Sequence, residues 1–438
     1  KYPPKTSVAK RSRVCGDVWA NGFRAIPLNI DEKCILGFEE QLLICASHWL
    51  QFQMHVAGTS LENALDLTDI RTLAVIFDSK ARKSEYGDEE AKVIRKALDG
   101  NLNAQFQCYG GWRKSGFGIW SHVHNLDFVV RTLEPAVIKK IHETVNPNFK
   151  FAGPPHLIVK PPTGGGKLAS HIDGVNGLSF QDIYELCDKY PTTKKWVQNV
   201  GVQALVHITG GDSLKSGATS IIAPMNPGRL KVILAAMHPS HPHPDLPLKK
   251  GQTWQKIWEH VGGPNFFPFD SPRVLKVLNR LLPLFEMKTA TSAVKADNDW
   301  LQRLGKDAKM LEINSAETFK PLKVVPIAPS CSGAFIALWA VGYPHGASST
   351  NKTLRISVTL PLTTKDGPDE SYKRSLRRAI LLQGGKIEQV KQDNERFFGC
   401  DGMTHKYPGK NEAELFDFFG PAMCISAEKA RELLRKLK

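Results

Sequence analysis

An α+β fold with a β-sandwich or barrel at its centre is predicted for this chain by three observations. Six short β-type runs, His156–Lys160, Val202–Ile208, Ala218–Ile222, Lys323–Ile327, Gly333–Trp339 and Leu354–Leu360, follow Pro155, bounded by Gly, Pro or Ser. Most of them follow one another without an intervening long helix, which disfavours a parallel α/β sheet. Helical patterning lies in flanking segments and in one long stretch between the third and fourth runs.

Taken in order, residues 1–30 are basic and rich in Pro and turn formers, and are expected to form an arm draped on the surface. Glu39–His55 has helical apolar spacing through Leu42, Leu43, Cys45, Ala46, Leu50 and Phe52. Asp88–Leu98 and Leu133–Val145 are further helices, the last with Glu134-Pro135 near its start. Between them Gln105–His124, dense in Gly and aromatics and carrying Arg113 and Lys114, reads as strand and loop. A segment at about 226–321 reads as an insertion between two core strands, with a His/Pro-rich loop at His238–Pro247 and a helix opened by Ser271-Pro272. Ser371–Leu382 and Ala427–Leu437 are helical patterns beyond the last strand. The expected division is therefore residues 1–150 as a helical/β region packing on the core, 151–362 as the interrupted core, and 363–438 as a helical extension.

Lys and Arg together number 58 against 43 Asp and Glu, a formal charge of +15. Such an excess attracts polyanions, of which nucleic acid is the commonest, although a basic surface with no such partner has the same composition. Hydrophobic residues make up 42 % of the chain, enough for a sizeable core. No window approaches the roughly 20 apolar residues of a membrane helix, and Ser330–Tyr343, the longest candidate, reads as buried strand. Lys1–Arg13 is polar and basic with no apolar stretch after it, so no secretory signal is expected in the sequence. The eight cysteines form no CxxC pair, which argues against a disulfide scaffold and a thiolate zinc site and for a reducing compartment.

Two segments carry the chemistry. HLIVKPPTGGGKLASHID ends in His171-Ile172-Asp173, and PIAPSCSGAFIALWAVGYPHGASSTNKTLRISVTL contains His345 and Arg355. Two His and one carboxylate on one face of octahedral Fe(II) leave three adjacent positions open, two for a bidentate 2-oxo acid and one for O₂. Side chains at i and i+2 of a strand point to one side; an HxD on its own fits a surface turn equally well. Arg355 follows His345 by ten residues and opens the β-forming run Arg355-Ile356-Ser357. Its guanidinium fork, helped by the Ser357 hydroxyl, suits the distal carboxylate of 2-oxoglutarate. His122, His124, His207 and the His238/His241/His243 group are competing ligands, but the last alternates with Pro and is expected to be a solvated loop. Cys108 and Cys331 have no matched base and are expected to be buried small hydrophobes.

The layout of these segments resembles the double-stranded β-helix (jelly-roll) core of Fe(II)/2-oxoglutarate dioxygenases over roughly residues 151–225 and 322–362. The run His171-Ile172-Asp173-Gly174-Val175-Asn176-Gly177, an HxDxxN pattern, is similar to that of the TET/JBP nucleobase oxygenases. Arg-Ile-Ser after the distal His and the long insertion look alike too. The N-terminal region lacks the zinc ligands of the vertebrate enzymes and looks more like the compact homologues of fungi, algae and protists. The resemblance implies Fe(II) and 2-oxoglutarate as cofactors and His171, Asp173 and His345 as metal-binding catalytic residues. It implies Asn176 as a contact to a flipped base of methylated duplex DNA. The expected reaction is oxidation of 5-methylcytosine to 5-hydroxymethylcytosine and further products; on N6-methyladenine the same chemistry demethylates. A base inside a duplex has to be flipped out to reach a buried metal. Arg113 and Lys114, in the run Tyr109–Lys114, would line the DNA groove or sit in a packed β-hairpin. A monomeric nuclear enzyme with no membrane partner is expected. The alternative is a 2-oxoglutarate-dependent hydroxylase of a protein or small molecule.

Overall fold

The structure, a computed structural model, describes residues 17–38, 88–89, 118–120, 132–151, 156–160, 167–173, 179–213, 215–259, 267–287, 294–313, 319–329, 333–348 and 355–363. These residues form an α+β molecule of helices and antiparallel sheets. The larger sheet holds β1 (Phe23–Pro27), β2 (Gly118–Trp120), β3 (Lys150–Phe151), β4 (His156–Lys160), β6 (Val202–Thr209), β9 (Phe335–Ala340) and β11 (Arg355–Thr363). Its order is β1-β9-β6-β11-β4-β2, with β3 also pairing β11. Every residue of β9 is buried, as are seven of the eight in β6, because this sheet is covered on both faces.

The smaller sheet holds β5 (Leu168–His171), β7 (Thr219–Ala223), β8 (Lys323–Pro326) and β10 (His345–Ala347), in the order β5-β10-β7-β8. From β4 onward the chain alternates between the sheets, large, small, large, small, small, large, small, large. Side chains that span the sheets define the space between them. Gln203 of β6 reaches Asp173 just past β5, and Arg355 of β11 reaches Gly217 just before β7.

The expected surface arm is not what residues 17–27 form. A four-residue helix, α1 (Val18–Asn21), is capped by Asp17 and closed by Gly22 in the left-handed conformation. A Cβ at Gly22 would lie 2.3 Å from the Tyr343 ring. The chain then runs into β1, which pairs with β9 and buries Phe23, Ala25 and Ile26. Apolar residues at Phe23 and Ile26 outweigh the local basic charge once an open strand edge is available.

The expected helix at Leu133–Val145 is α2 (Glu134–Thr144). Between β5 and β6 lie α3 (Phe180–Lys189), opened by a Ser179/Asp182 capping box, and α4 (Thr193–Asn199). The stretch from β7 to β8 folds as α5 (Pro227–Ala236), α6 (Trp254–Glu259), α7 (Pro272–Glu286), α8 (Lys295–Leu304) and a 3₁₀ turn (Gly305–Leu311). The helix α5 is buried on all sides, and its two cations are satisfied inside: Arg229 by a bidentate pair with Glu286, Lys231 by Asp188. Among the described residues no helix is long and apolar enough to cross a membrane. The expected helices at Glu39–His55, Ser371–Leu382 and Ala427–Leu437 lie outside the described residues, as do Cys108 and Cys331.

Candidate metal centre

Two neighbouring strands bring the histidines together. His171 ends β5 and His345 begins β10, and the two are direct partners across the antiparallel pair, with ring centroids 4.7 Å apart. Close approach of the strands depends on Gly346, where a Cβ would lie 2.6 Å from the Leu168 carbonyl oxygen. Ile172, buried in the core, carries the chain past the strand end to Asp173. Asp173 Oδ1 is then 3.0 Å from His171 Nε2, and Oδ2 is 3.1 Å from His345 Nε2. The three donor atoms lie within 4.8 Å of one another, so the group can hold a metal ion. HxD therefore straddles the strand end, where its i, i+2 spacing still aims both side chains the same way.

Backbone carbonyls fix the imidazole tautomers. His171 Nδ1 is 2.9 Å from the Ala169 oxygen, and His345 Nδ1 is 3.1 Å from the Tyr343 oxygen. A carbonyl only accepts, so each Nδ1 carries a proton and each Nε2 is left to face Asp173. That is the arrangement a divalent ion needs: two neutral nitrogen donors and one oxygen anion. Burial would raise the Asp173 pKa, but the two histidines overcome it and hold the carboxyl well below the usual range. Burial likewise opposes charge on His171, yet the Asp173 carboxylate raises its pKa, helped by the Ala169 carbonyl and by Asp270.

Arg355 lies in the same space between the sheets, at the other end. It is 1 % exposed, its Nη1 donates to the Gly217 oxygen at 2.6 Å, and its Nε donates to Ser357 Oγ at 3.1 Å. Among the described residues no acidic side chain pairs with it. Burial alone pushes its pKa down to about 9, which leaves the guanidinium charged at neutral pH. On β6, Gln203 beside Asp173 and His207 opposite Ser357 are four residues apart, about 13 Å of strand between their Cα atoms.

Compared with known protein families, with curated proteins and with solved structures, the chain matches none.

Three residues around the centre carried no individual signal at the level of motif. Gln203 Nε2 donates to Asp173 Oδ2 at 2.8 Å, and Trp339 Nε1 donates to Gln203 Oε1 at 2.9 Å. Asp270, just before α7, accepts from the Ser170 amide through Oδ1 and pairs with Lys167 through Oδ2 at 2.5 Å, while the Phe269 amide donates to the Ser170 oxygen. The helical segment between β7 and β8 thus covers the open edge of the strand that carries His171. Gln203 could have been suspected as the one amide in the apolar run VQALVHIT; Asp270 could not, since its partners are about a hundred residues away in sequence. Asn176, Arg113 and Lys114 lie outside the described residues, as do His122 and His124.

The His238–His243 loop is solvated in part, with Ser240 exposed and His238 and His241 half-buried, and it closes on a buried His243. His238 stacks on His241 and meets the edge of Trp258, and His243 is 1 % exposed. His243, Asp245 and Asp297 form a second group whose donor atoms are close enough to hold an ion. There Arg280 already supplies the cation, reaching Asp297 Oδ1 at 2.7 Å and Asp245 Oδ2 at 2.6 Å. The Asp245 amide donates to His243 Nδ1, so Nε2 holds the proton given to Asp297 and no imidazole lone pair is free. Burial lowers the His243 pKa against the pull of Asp297, consistent with a neutral ring. His207 is also committed: its Nε2 is 2.9 Å from Thr219 Oγ1 and its ring stacks on Phe335.

Proposed function

We propose that this chain is an Fe(II)/2-oxoglutarate-dependent dioxygenase with a double-stranded β-helix core, acting on methylated bases of DNA. The observation that carries the reading is a pairing: a His-Asp-His group and, in the same inter-sheet space, a buried arginine that meets no acidic side chain among the described residues. Alternation of consecutive strands between two antiparallel sheets supports the core assignment. Charge balance supports the cofactors, because a divalent ion, the Asp173 carboxylate, the Arg355 guanidinium and a dicarboxylate dianion sum to zero. Left unpaired, the buried Arg355 guanidinium alone would cost several kcal/mol, about what an unpaired ion in a protein interior costs.

In this reading His171, Asp173 and His345 hold the metal, and Arg355 with Ser357 grips the far carboxylate of 2-oxoglutarate. When bound, the iron supplies the O₂ chemistry that couples loss of CO₂ from the 2-oxo acid to oxidation of a substrate C–H bond. The chain's own work is positional. The Nδ1–carbonyl bonds keep both Nε2 atoms turned inward, and burial of Arg355 keeps water from competing for the dicarboxylate. The DNA substrate is supported by the +15 charge and by the HxDxxN run, in which Asn176 would hydrogen-bond the base edge and Arg113 and Lys114 would meet phosphates. Nuclear location and action as a monomer belong to the same proposal. Nucleoside mass spectrometry after incubating methylated DNA with protein, Fe(II) and 2-oxoglutarate tests it. The expected product is 5-hydroxymethylcytosine, absent when 2-oxoglutarate is omitted. Succinate release without any modified nucleoside would move the substrate to a protein or small molecule.

A further inference from the structure

We propose that Gln203 is a positioning residue that sets the Asp173 carboxylate for metal binding, and that Trp339 sets Gln203. This rests on reading His171, Asp173 and His345 as a metal centre. Asp173 is the least supported of the three: it lies past the last residue of β5, and 35 % of its side chain is exposed against 6 % and 7 % for the histidines. A carboxylate placed there could turn about its own bonds, and something has to choose its plane.

Gln203 makes that choice, and its own orientation is not ambiguous. An indole N–H can only donate, so the Gln203 atom 2.9 Å from Trp339 Nε1 is the amide oxygen. The amide nitrogen is therefore the atom turned to Asp173 Oδ2, where it can serve only an acceptor. A reversed amide would set two donors against each other at Trp339 and two acceptors against each other at Asp173. The bond thus favours the ionised, metal-binding form of the carboxyl.

Trp339 ties this bond to a second ligand. It sits directly opposite Gln203 across the β6–β9 pair, so strand register fixes their contact. Its ring packs on His345, with centroids 4.5 Å apart. One tryptophan therefore fixes the His345 ring by its face and the Asp173 carboxylate through its edge. Gln203 is 8 % exposed and Trp339 is 4 % exposed, so the bond between these two is shielded from water.

The test is Mn(II) binding to the full chain, followed by the electron paramagnetic resonance signal of the free ion, beside thermal unfolding of the metal-free protein. Gln203→Met keeps the volume and removes the amide; it is expected to weaken Mn(II) binding about ten- to a hundredfold, as loss of a ligand's hydrogen-bond partner typically does. The metal-free unfolding temperature is expected to stay near that of wild type. Trp339→Phe keeps a ring on His345 but drops the N–H, and is expected to weaken Mn(II) binding in the same direction by less. Wild-type affinity in Gln203→Met, with binding lost in His171→Ala, would overturn the proposal and leave the metal centre standing. Mn(II) binding that His171→Ala does not reduce would instead remove the metal centre itself. Should Gln203→Met also unfold at a lower temperature, Trp339→Phe decides: weakened Mn(II) binding supports the proposal, and unchanged binding overturns it.

Discussion

Replacing Arg355 by Met separates what the residue does for the fold from what it does for a ligand. The buried guanidinium donates to Gly217 and Ser357 and faces no carboxylate among the described residues. Those two hydrogen bonds are worth about 1.5–3 kcal/mol each where the donor is charged. Against them stands the desolvation of an unpaired ion, several kcal/mol after relaxation. The two nearly cancel, so Arg355→Met should change the stability of the ligand-free protein by no more than about 2 kcal/mol, the size of one such uncancelled hydrogen bond. Binding of 2-oxoglutarate should change far more, because its distal carboxylate would be buried with no cation. Breaking a buried pair by removing one partner costs about 3–5 kcal/mol. At about 1.4 kcal/mol per decade, that weakens binding from roughly a hundredfold to several thousandfold. Calorimetric titration of 2-oxoglutarate into the Mn(II)-loaded protein measures it without turnover. An unchanged dissociation constant in Arg355→Met would place the carboxylate clamp elsewhere. A collapse of the ligand-free fold would show that the charge is structural.

Other expectations follow from the geometry of the centre and from the sequence pattern. His171→Ala, Asp173→Ala and His345→Ala should each abolish 2-oxoglutarate-dependent turnover while circular dichroism stays close to wild type; full activity in any of them removes that residue from the centre. Asn176→Ala should lower kcat/KM on 5-methylcytosine DNA roughly ten- to a hundredfold, the effect of about 1–3 kcal/mol from an unpaired buried polar group. Iron content and uncoupled 2-oxoglutarate decarboxylation should survive, and wild-type oxidation of methylated DNA would make the HxDxxN run coincidental. Affinity for DNA should fall steeply on a log–log plot against salt as phosphate counterions are released, whereas a flat plot favours a protein or small-molecule substrate. Gly346→Ala should destabilise the protein by about 1–3 kcal/mol, since an added Cβ meets the Leu168 carbonyl and overpacking costs that much. Unfolding at the wild-type temperature would show that β5 can yield.

The parts of the fold that could be read from sequence are those where local pattern and burial agree. β6, β7, β8, β9 and β11 fall within a residue or a few of the expected runs, because each is an apolar stretch that ends at Gly, Pro or polar residues. β10, with the residues His345–Ala347, has no pattern of its own and exists because β5 and β7 flank it. The helix α5 gave no helical stripe, since burial on all sides erases one, and the partners of its Arg229 and Lys231, Glu286 and Asp188, lie far away in sequence. The capping box at Ser179 and Asp182 is a local start signal for α3. At the centre, the residue types and spacing of His171, Asp173, His345 and Arg355 were visible, and the structure groups the first three. What sequence could not give is support from afar: Gln203 acts on Asp173 from 30 residues away and Trp339 on Gln203 from 136.

The most direct test of the centre is optical. Fe(II) added anaerobically to the protein with 2-oxoglutarate should produce the visible metal-to-ligand charge-transfer absorption that arises only when a 2-oxo acid chelates ferrous iron. The band should be absent in His171→Ala and should demand far more 2-oxoglutarate in Arg355→Met. No band in the wild-type protein, with iron and 2-oxoglutarate both in excess, would contradict the assignment of His171, Asp173, His345 and Arg355 to one site.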